Sequence, residues 1–233
     1  KVVVTVHGID IQIDAKINYG YRLNKLYEKN FLNVVSKIDK FFSISQNIKN
    51  DLLELGVTEN KITMVPNGIE KVKFLQFKES KQNINNKIFL ITVARFAKEK
   101  KGFDLIPLIA KMLKEKKINF QWTIVGYNSK QIRMIDNMSN FEKNFKYLNN
   151  IENLDEKFFP HNNLIKIYKS NHIYINLARI ESFGMTIMEA LASGLPVVTF
   201  DTKGGNELIK NDYNGIIIKK LSPEQIVTAI DHY

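Results

Sequence analysis

Two carboxylates flank what reads as the start of a helix. Glu181 and Glu189 lie in the run Ala178-Arg-Ile-Glu-Ser-Phe-Gly-Met-Thr-Ile-Met-Glu-Ala-Leu-Ala-Ser-Gly-Leu195. On a regular helix their spacing is about 12 Å along the axis. That is too far for two groups sharing a proton and suits one extended ligand touched at two places. Ser182 is a natural N-cap, and Gly194 with Pro196 behind it is a natural stop, so a helix is expected to begin near Phe183. Its unpaired N–H groups and positive dipole end would face whatever lies above the preceding strand. Gly184 lets a ligand approach that backbone closely. Together these are the components of an anion site.

A second group of candidates lies in Arg95-Phe-Ala-Lys-Glu-Lys-Lys101-Gly102, just before another expected helix. Cations at a helix N-terminus are misplaced by roughly a few tenths of a kcal/mol or more. Lys100 and Lys101 are easier to understand with an anion between them and the helix. Arg95 can grip a phosphate through two parallel hydrogen bonds, and Lys101 supplies a mobile point charge. His7-Gly8 falls at the carboxyl end of an apolar strand, Val2 to Val6. In doubly wound sheets that end faces the ligand crevice. A structural, hydrogen-bonded histidine and a catalytic one both fit there.

The elements that must position these groups follow from the apolar pattern. Ile88 to Ala94, Phe120 to Gly126, His172 to Leu177 and Pro196 to Phe200 are mostly apolar runs, with Phe145 to Leu148 a weaker candidate. The segments between them can hold crossover helices, so the sheet should be parallel. Pro107 fits the first turn of a helix over Phe103 to Lys116. Thr202 to Glu207, with Gly204-Gly205, reads as a close-approach loop opening a further helix. Ile216 to Lys219 reads as a last strand, and Ser222 starts a final helix. Earlier in the chain, Lys40 to Ile44 and Ile62 to Val65 read as strands, and Ser45 caps a helix that Gly56 stops. Leu23, Leu26, Tyr27, Phe31, Val34 and Val35 recur at helical spacing. They predict a packing helix, with a membrane- or acceptor-facing helix as the alternative. Pro66-Asn67-Gly68 is a strong turn signal, and Glu70 to Lys87 reads as an irregular linker.

The 233 residues, 44% hydrophobic, can bury a sizeable core in one large domain or two small ones. Without cysteine there are neither disulfides nor thiolate metal sites, which fits a reducing compartment. No apolar run approaches the roughly 18 residues of a membrane span, and no signal peptide is visible. Lys and Arg outnumber Asp and Glu by 34 to 24, a net +10 that favours polyanionic partners. The cations are spread thinly, with no basic run or RNA-binding aromatic motif, so nucleic acid is the lesser option beside nucleotide phosphates or an anionic membrane face.

The block Glu181-Ser-Phe-Gly-Met-Thr-Ile-Met-Glu-Ala-Leu-Ala-Ser-Gly-Leu-Pro-Val-Val198 resembles the E-x7-E signature of the retaining nucleotide-sugar glycosyltransferases of family 4, which have the GT-B fold. The resemblance extends to Pro66-Asn67-Gly68, where such chains leave their first domain, to Arg95 with Lys101-Gly102, and to the Gly204-Gly205-x-Glu207 run. It implies an α/β protein with a doubly wound, Rossmann-like C-terminal domain over residues 70–233. Residues 1–69 would be the last part of a similar N-terminal domain.

By the same resemblance His7 and Glu181 act at the donor sugar, and Phe183, Gly184, Met185 and Thr186 present backbone to sugar and phosphates. Arg95 and Lys101 would hold the diphosphate, and Glu189 the ribose hydroxyls. The implied reaction moves a hexosyl unit from a nucleoside diphosphate sugar to a glycan or lipid-linked acceptor with retention of configuration, as in polysaccharide or cell-envelope biosynthesis. No cofactor and no metal is implied. The expected location is cytoplasmic, with peripheral association at the anionic inner face of the cell membrane, and no nucleic acid is expected as a partner. The chain opens on a strand without an initiator Met, so a piece of a longer protein is expected. The missing part would hold the glycine-rich donor loop and most of the acceptor site. Alternatives are a sugar-nucleotide epimerase of the same fold, a donor-binding fragment without activity, and a basic nucleic-acid module.

Overall fold

Successive residues of Ile88–Val93 point to opposite faces of a sheet, and both faces are buried. Leu90 joins a core with Phe103, Ile106, Trp122 and Ile230, whereas Ile91 packs with Tyr168, Tyr174, Ile187 and Ala190. A strand covered on both sides is what a parallel sheet between two helix layers requires, and it explains the continuous apolar runs. The computed structural model describes residues 1–78, 86–126, 129–149 and 160–233.

The chain divides into two compact units, one of residues 1–68, 180–184 and 202–207, the other of residues 69–179, 185–201 and 208–233. In the first, β1 (Val3–Val6), β2 (Lys40–Ser43) and β3 (Ile62–Met64) form a parallel sheet in the order β1-β2-β3. Helices α1 (Lys25–Val35) and α2 (Gln46–Glu54) make the crossovers. The expected packing role for α1 does not hold. Leu26, Leu32 and Val34 are 68%, 44% and 52% exposed, and Val35 is the helix's buried residue. Its aromatic contacts are local, Tyr27 lying 5.5 Å from Tyr21 and 6.1 Å from Phe31 between ring centres.

In the second unit β4 (Ile88–Val93), β5 (Phe120–Val125), β6 (Phe145–Leu148), β7 (Ile173–Asn176), β8 (Val197–Phe200) and β9 (Gly215–Ile218) form one all-parallel sheet, ordered β6-β5-β4-β7-β8-β9. This is the doubly wound, Rossmann-like order expected from the sequence. The predicted irregular linker instead contains α3 (Lys71–Leu75), anchored by fully buried Phe74, and its residues 79–85 lie outside those described. Helix α4 (Ile106–Glu115) follows a 3₁₀ turn at Phe103–Leu105 and carries Pro107 in its first turn, where a missing N–H costs little. Helices α5 (Asn162–Lys169), α6 (Met185–Ala192) and α7 (Pro223–His232) complete the two layers. α4 and α7 supply the core on one face, α5 and α6 on the other. The helix predicted to open from Thr202 to Glu207 is a single 3₁₀ turn, Gly205–Leu208.

Candidate donor site

At β4 and β7 the sheet changes direction: β5 and β6 lie beyond β4, and β8 and β9 beyond β7. In open α/β sheets, ligands bind outside the carboxyl ends of strands at such a switch point. The loop after β4 carries Arg95 and Lys101, and α6 begins shortly after β7.

These loops are tied together. The Arg179 backbone N–H donates to the Lys100 carbonyl at 2.9 Å. Gly102, at φ +68°, seats so close to β7's exit that an added Cβ would stand 2.0 Å from the Leu177 carbonyl oxygen. The Arg179 guanidinium then forks onto Asp104, Nη1 to Oδ1 at 2.8 Å and Nη2 to Oδ2 at 2.6 Å, and also donates to the Glu99 carbonyl. Arg95 is exposed, and its side chain has no partner among the described residues; Lys101 is half-buried. The Arg179 side chain is thus engaged in holding the two loops together, whereas that of Arg95 is not.

Glu189 lies on the second turn of α6 and is 7% exposed. Tyr168 Oη on α5 donates to its Oε2 at 2.9 Å, and Tyr174 Oη on β7 donates to Thr186 Oγ1 at 2.7 Å. Burial pushes the Glu189 carboxyl up to about 7, against the opposing effect of the Tyr168 hydrogen bond. Burial, reinforced by the nearby Glu189 charge, also pushes the Tyr168 hydroxyl well above its ordinary value, so it stays a donor. Glu189 Oε1 has no protein partner among the described residues and is not sealed from solvent. The tyrosines escaped the sequence reading because Leu164 and Tyr168, four residues apart, look like an ordinary core stripe, which they also are.

The start of α6 departs from expectation. Ser182 does not cap α6. Its Oγ donates to Gln12 Oε1 at 2.9 Å, and its carbonyl accepts from Ser45 Oγ at 2.7 Å. The helix begins at Met185, behind Gly184, whose φ is +92°. Phe183 is buried and outside the helix, so the first-turn amides of α6 start at Met185 rather than at Phe183.

Glu181 is half-buried, makes a parallel bridge with Lys203, and has Gly204 against its carbonyl. The imidazole of His7 is exposed. Asp10 accepts the backbone N–H of Gly8 at 2.8 Å and that of His7 at 3.4 Å. Gly8, at φ +119°, packs against Ser182, leaving 1.8 Å between a hypothetical Cβ and Ser182 Oγ. The first unit thus brings the His7 turn against the Glu181-Ser182 segment. Glu207, from the glycine-pair loop, accepts the first N–H groups of α2, those of Gln46 and Asn47, at 2.8 and 2.7 Å. It acts there as a helix cap.

Among the described residues no group of three or more His, Asp or Glu is placed to hold a metal, and no helix is long and apolar enough to cross a membrane.

Comparison with known proteins agrees with this arrangement. Residues 74–233 match the family described as "Glycosyl transferases group 1", and residues 1–72 match "Glycosyltransferase Family 4". The GtfA subunit of the UDP-N-acetylglucosamine–peptide N-acetylglucosaminyltransferase of Streptococcus agalactiae is 26% identical, over 100% of this chain and 45% of its own length. The alpha-monoglucosyldiacylglycerol synthase of Acholeplasma laidlawii is 25% identical, over 91% of this chain and 51% of its own. The chain thus spans about half the length of these curated relatives. Among solved structures, Anabaena HepE in complex with UDP and glucose superposes with a TM-score of 0.72 at 16% identity, over 99% of this chain and 61% of that one. That likeness establishes the shared GT-B architecture. With its family match running through the switch point and the whole doubly wound sheet, the chain belongs to the glycosyl transferases group 1 family.

Proposed function

We propose that this chain carries the donor-binding half of an enzyme that moves a sugar from a nucleoside diphosphate sugar to a glycan or lipid-linked acceptor, with retention of configuration. The observation that carries the reading is the joined pair of loops at the switch point. An exposed Arg95, unpartnered among the described residues, and the Lys101-Gly102 turn stand after β4, held to the segment after β7 that leads to α6. A departing diphosphate develops negative charge, and cations together with helix-start amides stabilise such charge. In this reading Arg95 and Lys101 hold the diphosphate. The backbone of Gly184 to Thr186 faces sugar and phosphates, Glu189 takes the ribose hydroxyls, and His7 and Glu181 attend the reacting sugar. The named relatives support this: GtfA by its name uses UDP-N-acetylglucosamine, and HepE was solved with UDP and glucose. None of them lends anything to an epimerase.

The acceptor is the open part of the proposal. The GtfA name specifies a peptide acceptor and the synthase name a glucosylated diacylglycerol product, so protein and lipid acceptors both suit the family. Because the chain spans about half of such proteins, donor binding without turnover is the activity expected of these 233 residues alone. Thermal-shift screening of UDP-, GDP- and ADP-sugars tests the reading. One base series should raise the unfolding temperature, and Glu189→Ala or Arg95→Ala should make the rise smaller. An unchanged rise in both variants would contradict the assignment.

A further inference from the structure

A carboxylate that binds ribose must be aimed, and Glu189 is aimed by a residue on another helix. Tyr168 is fully buried on α5, 21 positions away in sequence, and its hydroxyl reaches Glu189 Oε2 at 2.9 Å. Desolvating a tyrosine hydroxyl is unfavourable unless it finds a partner, so this bond fixes both groups. It uses one carboxylate oxygen and leaves Oε1 without a protein partner among the described residues. Tyr174, whose ring lies 6.0 Å from that of Tyr168, repeats the arrangement on the first turn of α6 through Thr186 Oγ1.

We propose that Tyr168 is a positioning residue for the donor nucleoside: its hydroxyl holds one oxygen of Glu189 so that the other is presented to the ribose hydroxyls. The inference rests on the donor reading of Glu189 given above and assigns how that group's specificity is set. Glu189 sits on a helix whose core-facing residues, Ile187 and Ala190, are fully buried. Helix packing alone places its Cα, but a glutamate has three further torsions that set where its carboxylate points. The hydroxyl of Tyr168 removes that freedom. A merely structural tyrosine would support the fold and be indifferent to which ribose hydroxyls the ligand carries.

The test is calorimetric titration of the 233-residue chain with UDP, GDP and ADP, each beside its 2′-deoxy counterpart. The wild-type chain should prefer the ribo form of the base it binds by about tenfold, the worth of one good hydrogen bond to a charged group. Glu189→Ala should lose that preference. Tyr168→Phe should lower it to about twofold or less while leaving the affinity for the 2′-deoxy ligand unchanged, which also shows that the site is still folded. Equal weakening of both ligands would mark a structural role and overturn the proposal, as would an unaltered preference. If Tyr168→Phe does not fold, 3-fluorotyrosine at position 168 keeps the ring and makes the hydroxyl a stronger donor. The preference should then equal or exceed that of wild type, and a fall would overturn the proposal. A wild-type chain with no ribo preference for any base removes the Glu189 reading itself, and Tyr168's role with it.

Discussion

Arg179 and Asp104 form a two-pronged ion pair, with N–O distances of 2.8 and 2.6 Å, that joins the segment after β7 to the start of the helix after β4. Both side chains are mostly shielded, at 17% and 26% exposure, so the pair is stronger than a typical surface bridge. Asp104→Ala should destabilise the chain by about 1–2 kcal/mol, because it also strands the Arg179 charge. Urea unfolding measures the loss. Diphosphate affinity should fall too, since the basic loop loses an anchor.

Gly102 explains why the basic turn ends in glycine. Its φ of +68° is strained for other residues, and a Cβ would collide with the Leu177 carbonyl. Gly102→Ala should cost about 2–3 kcal/mol, measured by urea unfolding, and should weaken diphosphate binding. A stability within 0.5 kcal/mol of wild type, about the scatter of neutral surface changes, would show that the loop seats elsewhere.

Arg95 offers the opposite pattern. Exposed and unpartnered among the described residues, its replacement by Ala should leave stability within about 0.5 kcal/mol of wild type. Diphosphate affinity should nonetheless drop about tenfold or more, the worth of a charge-assisted pair. Wild-type binding should weaken with added salt, and the variant's binding should do so less steeply.

Glu189 makes the free site costly at high pH. Its carboxyl rises from 4.5 to about 7 on folding, so between those values the folded chain holds a proton that the unfolded chain has lost. Stability is therefore fullest below 4.5 and falls as pH rises through 7, by about 3 kcal/mol in all. Glu189→Gln keeps an acceptor for Tyr168 without the charge. It should be more stable than wild type at pH 8 and indistinguishable from it near pH 4.5. Urea titrations at the two values give the comparison.

The sheet strands were legible in the sequence because burial on both faces writes them as continuous apolar runs, as in Ile88–Val93 and Ile173–Asn176. Pro107 and Ser45 were legible because their effects are local. What escaped is tertiary. Ser182 has every property of a helix cap, yet its hydroxyl and carbonyl bond to Gln12 and Ser45, far away in sequence, and α6 begins at Met185. The apolar spacing of α1 predicts a helix correctly but not what that helix packs on, and Leu26 is left exposed. Arg179 and Tyr168 carry no motif at all; only the fold shows that each holds a candidate ligand group or loop in place.

The most direct measurement of the central claim is calorimetric titration of the wild-type and Arg95→Ala chains with UDP, GDP and ADP in low salt. One diphosphate should bind the wild-type chain with micromolar-range affinity, about −8 kcal/mol, and bind the variant at least tenfold more weakly. Binding of none of the three, or equal binding to both chains, would contradict a diphosphate held by the loop after β4.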